Sequence, residues 1–163
     1  MRNTRYDTGR LALLALLTAI VAVLQMLGIA IRFGVFAVSL VGVPIIIGGA
    51  LLGPGAGAWL GLVFGVTVLA SGDAALFFAW DPIATVAIVL LKGTLAGLAA
   101  GGVYRLLERQ NIFLAALAAS VVCPLVNTGV FFLGCMLFFL EDCIQFAANL
   151  GITGSGPVVV AIA

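Results

Sequence analysis

Histidine is absent from the sequence, and only 8% of its 163 residues are charged. Without an imidazole there is no histidine acid–base chemistry, which removes Ser-His-Asp catalysis and the usual intramembrane zinc arrangements. A soluble domain carries about 25% charged residues. This chain is 64% hydrophobic with a mean hydropathy of +1.36, a composition suited to lipid. Seven Lys and Arg against six Asp and Glu leave a net charge of +1, with no basic cluster to hold nucleic acid. The three cysteines, Cys123, Cys135 and Cys143, form no CxxC pair, and the first two lie inside an apolar run, so they read as packing residues rather than metal ligands. No GxxxxGK[ST] phosphate loop occurs, because Lys92-Gly93-Thr94 lacks a glycine at the required spacing; ATP is therefore not expected as the chain's own ligand. The isolated Gly154-Ser155-Gly156 reads as a turn.

What is present is a series of long apolar runs. Charges, Gly/Pro clusters and amides divide the chain into Leu11–Ile31, Phe36–Leu52, Gly55–Ala70, Pro82–Leu107, Ile112–Leu140 and a segment starting near Pro157. A crossing needs about 20 residues, so the expectation is an all-α, polytopic bundle of six helices forming a single integral membrane domain over residues 1–163, with the last helix cut short. Arg2, Arg5 and Arg10 precede the first run in the manner of a signal peptide. That run exceeds the roughly 7–15 residues of such a leader, so it reads as a retained span. Arg105 and Arg109 fall on the same side as the N-terminal arginines if four crossings separate them, and Asp73, Asp81, Glu141 and Asp142 then lie opposite. The positive-inside rule puts the N-terminus in the cytoplasm. Asp81-Pro82 predicts a helix start, with an N-cap acceptor before a first-turn proline. Leu52-Gly53-Pro54-Gly55 predicts a tight turn.

Small residues recur at helical spacing. Gly53, Gly57, Gly61 and Gly65, and again Gly93, Gly97 and Gly101, are read as seams inside the bundle. Ala12, Ala15, Ala19 and Ala22 line one face of the first span, which either packs internally or offers a docking surface.

Polar residues at membrane depth carry the functional reading. Lys92 lies roughly 16 Å along a helix from Asp81 and roughly 20 Å from Arg105. A lysine there costs about 2.5–3.5 kcal/mol unless it meets water or a counter-charge. Either its stem snorkels outward or a carboxylate from the loop carrying Glu141 and Asp142 folds in to neutralise it, or it serves an anionic or carbonyl-bearing ligand. Pro124 removes a helical hydrogen bond and predicts a kink beside Asn127 and Thr128. These two either bond between helices or read a polar solute. Phe33, Phe36, Phe77, Phe78, Trp80, Phe131 and Phe132 gather toward the acidic end as a headgroup belt, with Trp80 and Phe36 placed where loops could cover a pocket, and Gln25 either lines that pocket or faces the headgroups.

The layout of runs, the span-1 face Ala15-Leu16-Leu17-Thr18-Ala19, the stretch Val43-Pro44-Ile45-Ile46-Ile47-Gly48-Gly49-Ala50-Leu51-Leu52-Gly53-Pro54 and the later Pro124-Leu125-Val126-Asn127-Thr128-Gly129 together resemble the substrate-binding S component of energy-coupling factor (ECF) vitamin transporters. The resemblance runs over nearly the whole chain. It implies a bacterial plasma-membrane protein, not an enzyme and without a cofactor, that binds a vitamin from outside and works with a transmembrane coupling subunit and two ATPases. It assigns docking to Ala15 and Ala19. Substrate contacts are expected from Lys92, Asn127, Thr128 and Phe131, and loop contacts from Arg32, Phe36 and Trp80. The isoleucine-rich stretch looks most like the pantothenate-type subgroup. The alternative from another class is a small ion-coupled secondary carrier working as a dimer through its glycine stripes. Against it stands the lack of any Asp or Glu within a predicted span.

Overall fold

A computed structural model describes residues 4–27, 30–33 and 36–138. The order is α1 (Thr4–Met26), β1 (Ala30–Phe33), β2 (Phe36–Ser39), α2 (Gly42–Leu52), α3 (Pro54–Ser71), α4 (Ala75–Trp80), α5 (Pro82–Leu107) and α6 (Ile112–Phe138). The architecture is an all-helical membrane bundle with one small hairpin. Among the described residues, four helices are long and apolar enough to cross a membrane: α1, α3, α5 and α6.

Five of the six apolar runs are therefore found, with two corrections. The first helix stops at Met26, and the run to Ile31 continues as a strand. The second run opens as a strand and only then becomes the 11-residue α2. The two strands pair antiparallel, with Ile31 opposite Val38 and Phe33 opposite Phe36. Hydropathy cannot separate a short apolar strand from helix. The β-branched and aromatic residues of this stretch, Ile31, Phe33, Phe36 and Val38, favour the pleated form. α2 is only about 16 Å long, half a hydrocarbon layer, and is too short to cross one alone. The residues Phe77, Phe78 and Trp80, expected in a loop, form α4. The segment starting near Pro157 lies outside the described residues.

Local signals behave as their chemistry requires. Asp81 caps α5, its Oδ1 accepting from Ile83 N at 2.9 Å and Ala84 N at 3.1 Å, with Pro82 at the first position. Gly53 turns α2 into α3 at φ +104°, in the region where a Cβ is disfavoured. Asn111 caps α6 in the same way as Asp81 caps α5, accepting from Phe113 N at 2.9 Å.

The centre of the bundle is a backbone-to-backbone seam. Gly57 and Gly61 on α3 meet Gly97 and Gly93 on the antiparallel α5, and Gly49 of α2 closes on Gly101. A methyl placed on Gly61 would sit 1.9 Å from the Gly93 carbonyl oxygen, and one on Gly97 would sit 2.0 Å from that of Gly57. With apolar lipid outside there is little hydrophobic gain from helix association, so this close contact supplies the dispersion energy. Above and beside it Leu60, Val21, Val41 and Ala100 are buried. The opposite faces of α5 and α6 carry large apolar side chains outward, among them Ile83, Leu106, Phe113 and Leu125, as lipid contact requires. The glycine stripes thus face each other inside one chain, which removes the dimer seam of the carrier alternative.

Two ends are defined by side-chain contacts. Arg10 donates to the Leu52 carbonyl at 3.1 Å, and the Arg105 guanidinium lies against Gly53, where an added methyl would meet it at 3.5 Å. The basic ends of α1 and α5 therefore meet at the α2–α3 turn. At the far end Gln25, in the last turn of α1, donates to Asp73 in the α3–α4 turn.

Gly61→Ala should place a methyl into backbone that has no rotamer to move, costing about 1–3 kcal/mol as overpacking does. Gly129→Ala, where no atom lies within 4 Å of the added carbon, should be neutral or slightly stabilising by helix propensity. Melting curves of the two purified variants in detergent test the pair; equal curves would remove the seam from its central place.

Candidate functional site

Lys92 sits midway along α5, one position from the Gly93 contact, so the seam fixes where its stem leaves the helix. The same seam brings Phe64 and Val68 of α3 alongside Val89 and Lys92 of α5, because Gly65 packs onto the backbone of Val89 and Leu90. Between these residues, Ala74 and Phe77 near α4, Phe131 of α6, and Gln25 and Asp73 lies a cavity of about 210 Å³. It is at the end of the bundle opposite Arg10 and Arg105.

The polar atoms of this cavity are few and unevenly matched. Lys92 Nζ stands 4.3 Å from the centre of the Phe131 ring, a cation–π contact. Among the described residues it forms no ion pair, although Asp73 lines the same cavity. Asp73 Oδ2 accepts from Gln25 Nε2 at 2.5 Å and from Ser71 Oγ at 3.0 Å. Phe77 meets both Phe131 and Trp80 edge-on, with ring centres 5.2 and 5.4 Å apart, and these rings pack over Ala84, Ile88 and Cys135. The aromatic wall is thus braced from behind.

One turn before Phe131 on the same face of α6, Asn127 Oδ1 is buried and accepts no hydrogen bond among the described residues. The helix hydroxyls behave otherwise. Thr85, Thr67 and Thr94 each bond back to a carbonyl of their own helix, at 2.7, 2.9 and 2.7 Å respectively. α6 runs on through Pro124 to Phe138.

Of the residues singled out in the sequence, the structure brings Lys92 and Phe131 to the cavity, Trp80 to its supporting cluster and Asn127 to the neighbouring turn. Thr128 is exposed and does not line it. Arg32 and Phe36 stand on β1 and β2, and their side chains lie outside the described residues. Ala12, Ala15 and Ala19 are exposed on α1, whose buried face is formed by Leu17 and Val21, so the alanine stripe points away from the described bundle. Gln25, expected at the pocket or the headgroups, lines the cavity; Phe77, expected in the aromatic belt, lines it too, and Asp73, Phe64, Val68 and Val89 join them without any expectation from the sequence. Their available signal was the matching four-residue glycine spacing on α3 and α5, which sets the antiparallel register and hence what flanks Lys92.

A larger recess of about 640 Å³ lies between α1 and the α2–α3 turn, beside Arg10, Leu14, Leu52 and Trp59. It is an open groove with its polar groups already engaged, Arg10 on Leu52 and the Trp59 indole donating to Thr18 Oγ1 at 3.3 Å. The smaller cavity holds Lys92, which has no ion pair among the described residues.

A bundle with four helices long and apolar enough to cross a membrane, and a small, mostly apolar cavity near one end, is the architecture of an integral membrane protein. The family described as ECF transporter, substrate-specific component, matches residues 9–162, and the chain belongs to it. Neither the curated proteins nor the solved structures include a match.

Asn127 Oδ1, buried and without a donor among the described residues, yields a separable prediction. Asn127→Leu should leave the solute-free protein as stable or more so, since an unsatisfied buried polar group costs about 1–3 kcal/mol. Destabilisation in a melting assay would mean that Asn127 is instead held by a structural partner.

Proposed function

We propose that this S component captures a vitamin or related micronutrient from outside the cell in the Lys92 cavity and passes it inward through an ATP-driven complex. The observation that carries the reading is a mid-span ammonium in a cavity, without an ion partner among the described residues. An anionic group on a bound solute supplies the counter-charge that makes such a residue tolerable in hydrocarbon. A carboxylate vitamin of the pantothenate kind meets that need, and the resemblance of the isoleucine-rich α2 stretch points the same way.

Orientation follows from charge. Arg10 and Arg105 share one end, and basic ends stay in the cytoplasm of a bacterial plasma membrane, which puts the N-terminus inside and the cavity outside. The exposed Ala15 and Ala19 face of α1 is the surface for the transmembrane coupling subunit, which carries the two ATPases. Small side chains there let a partner helix approach closely. Binding, rather than catalysis, is the role this chemistry suits.

Two variants separate the parts of this proposal. Lys92→Ala should weaken vitamin binding by the purified subunit by about tenfold or more, the loss of one charge-assisted contact. Ala15→Leu with Ala19→Leu should retain vitamin binding yet lose co-purification with the coupling subunit and ATPases. A Lys92→Ala protein that binds its vitamin as the parent does would remove the cavity from the mechanism.

A further inference from the structure

The cavity is electrically two-ended. At its inner limit stands the Lys92 ammonium, a donor with three N–H groups. At its mouth, where Asp73 is exposed, both described hydrogen bonds to that carboxylate fall on Oδ2, and Oδ1 accepts none among the described residues. Gln25 lines the same mouth and donates to Asp73 through Nε2; its amide oxygen has no hydrogen bond among the described residues. Between the two ends the walls are Phe64, Val68, Phe77, Val89 and Phe131. Lys92 and Asp73 line one small space without pairing, so a solute lying along it meets a donor at depth, apolar walls in the middle and acceptors at the rim.

We infer that the cavity selects a compact dipolar solute, with a carboxylate or equivalent anion directed to Lys92 and an ammonium, amide N–H or hydroxyl directed to Asp73 and Gln25, joined by a short apolar stem. Asp73 is then a specificity-determining residue. The inference rests on the solute-capture reading above and deepens it. Size restricts the class further. The cavity, about 210 Å³, is a small one, which favours a compact solute over a large one. A solute with only one polar end leaves the opposite pole unmatched, and an unmatched polar partner is the strongest source of discrimination between otherwise similar ligands.

The test uses the purified full chain in detergent or nanodiscs with four probes: 6-aminohexanoate, hexanoate, hexylamine and riboflavin. Equilibrium binding should rank 6-aminohexanoate about tenfold above either single-ended probe. Asp73→Asn, close in shape to the parent, should abolish the preference over hexanoate while hexanoate binding persists. That persistence, with an unchanged size-exclusion profile, shows the variant is folded. Lys92→Gln should abolish the preference over hexylamine. Equal binding of 6-aminohexanoate and hexanoate, or a preference unchanged in Asp73→Asn, overturns the inference. Riboflavin binding with the three linear probes silent overturns it too, while leaving the uptake role standing. If none of the four binds, the dipolar class falls, and if no ATPase complex co-purifies either, the uptake role falls with it.

Discussion

The approach of two helix backbones to the distance that only glycine permits is the constraint on which the rest of this protein depends. Where α3 and α5 pack, Gly57, Gly61, Gly93 and Gly97 bring carbonyl oxygens closer than any non-bonded contact an added methyl could make. Lipid provides little hydrophobic drive for association, so such contact, made once at the centre, holds the neighbouring helices in register. Lys92 is next to Gly93 in sequence, and its position is therefore as fixed as the seam itself. A lysine on a loosely packed helix can rotate toward the headgroups; one beside a locked glycine has less freedom.

From that seam the site follows by adjacency. Phe64 and Val68 come alongside because they flank Gly61 and Gly65 on α3, and Phe131 covers the ammonium because α6 packs on the other side of α5. The polar mouth depends on a second, longer-range contact, Gln25 with Asp73, which ties the end of α1 to the α3–α4 turn. The same helix α1 presents Ala15 and Ala19 outward. One element thus touches the cavity at its last turn and carries the proposed docking face two turns below. In the proposed reading, solute and partner would meet the same helix.

Much of this was legible in residue order. Asp81-Pro82 marks a helix start, because a carboxylate before a first-turn proline satisfies orphan amides whatever the surroundings. Gly53-Pro54 marks a turn for equally local reasons. The glycine periodicity announced a seam, and Lys92 announced itself by its cost in hydrocarbon. The hairpin Ala30–Ser39 was not legible, since apolar runs of this length satisfy helix and strand alike and the choice is made by pairing across the turn. Nor was Asp73 as a lining residue. It reads as an exposed loop charge until the end of α1 is brought against it.

The amino-acid sequence alone determined the membrane setting, the family, the main helix boundaries and the presence of a cation at mid-depth, because hydropathy, capping and insertion cost act over neighbouring residues. Tertiary structure decided which stripe of small residues lies inside and which outside: α3 and α5 consume their glycine faces on each other, while α1 turns its alanines away. It also decided which polar residues share a cavity. Asp73 and Lys92 lie on different elements, and Thr128, next to Asn127, points elsewhere because adjacent positions on a helix differ by about 100°. Directions of that kind are set by packing between helices, and no local pattern encodes them.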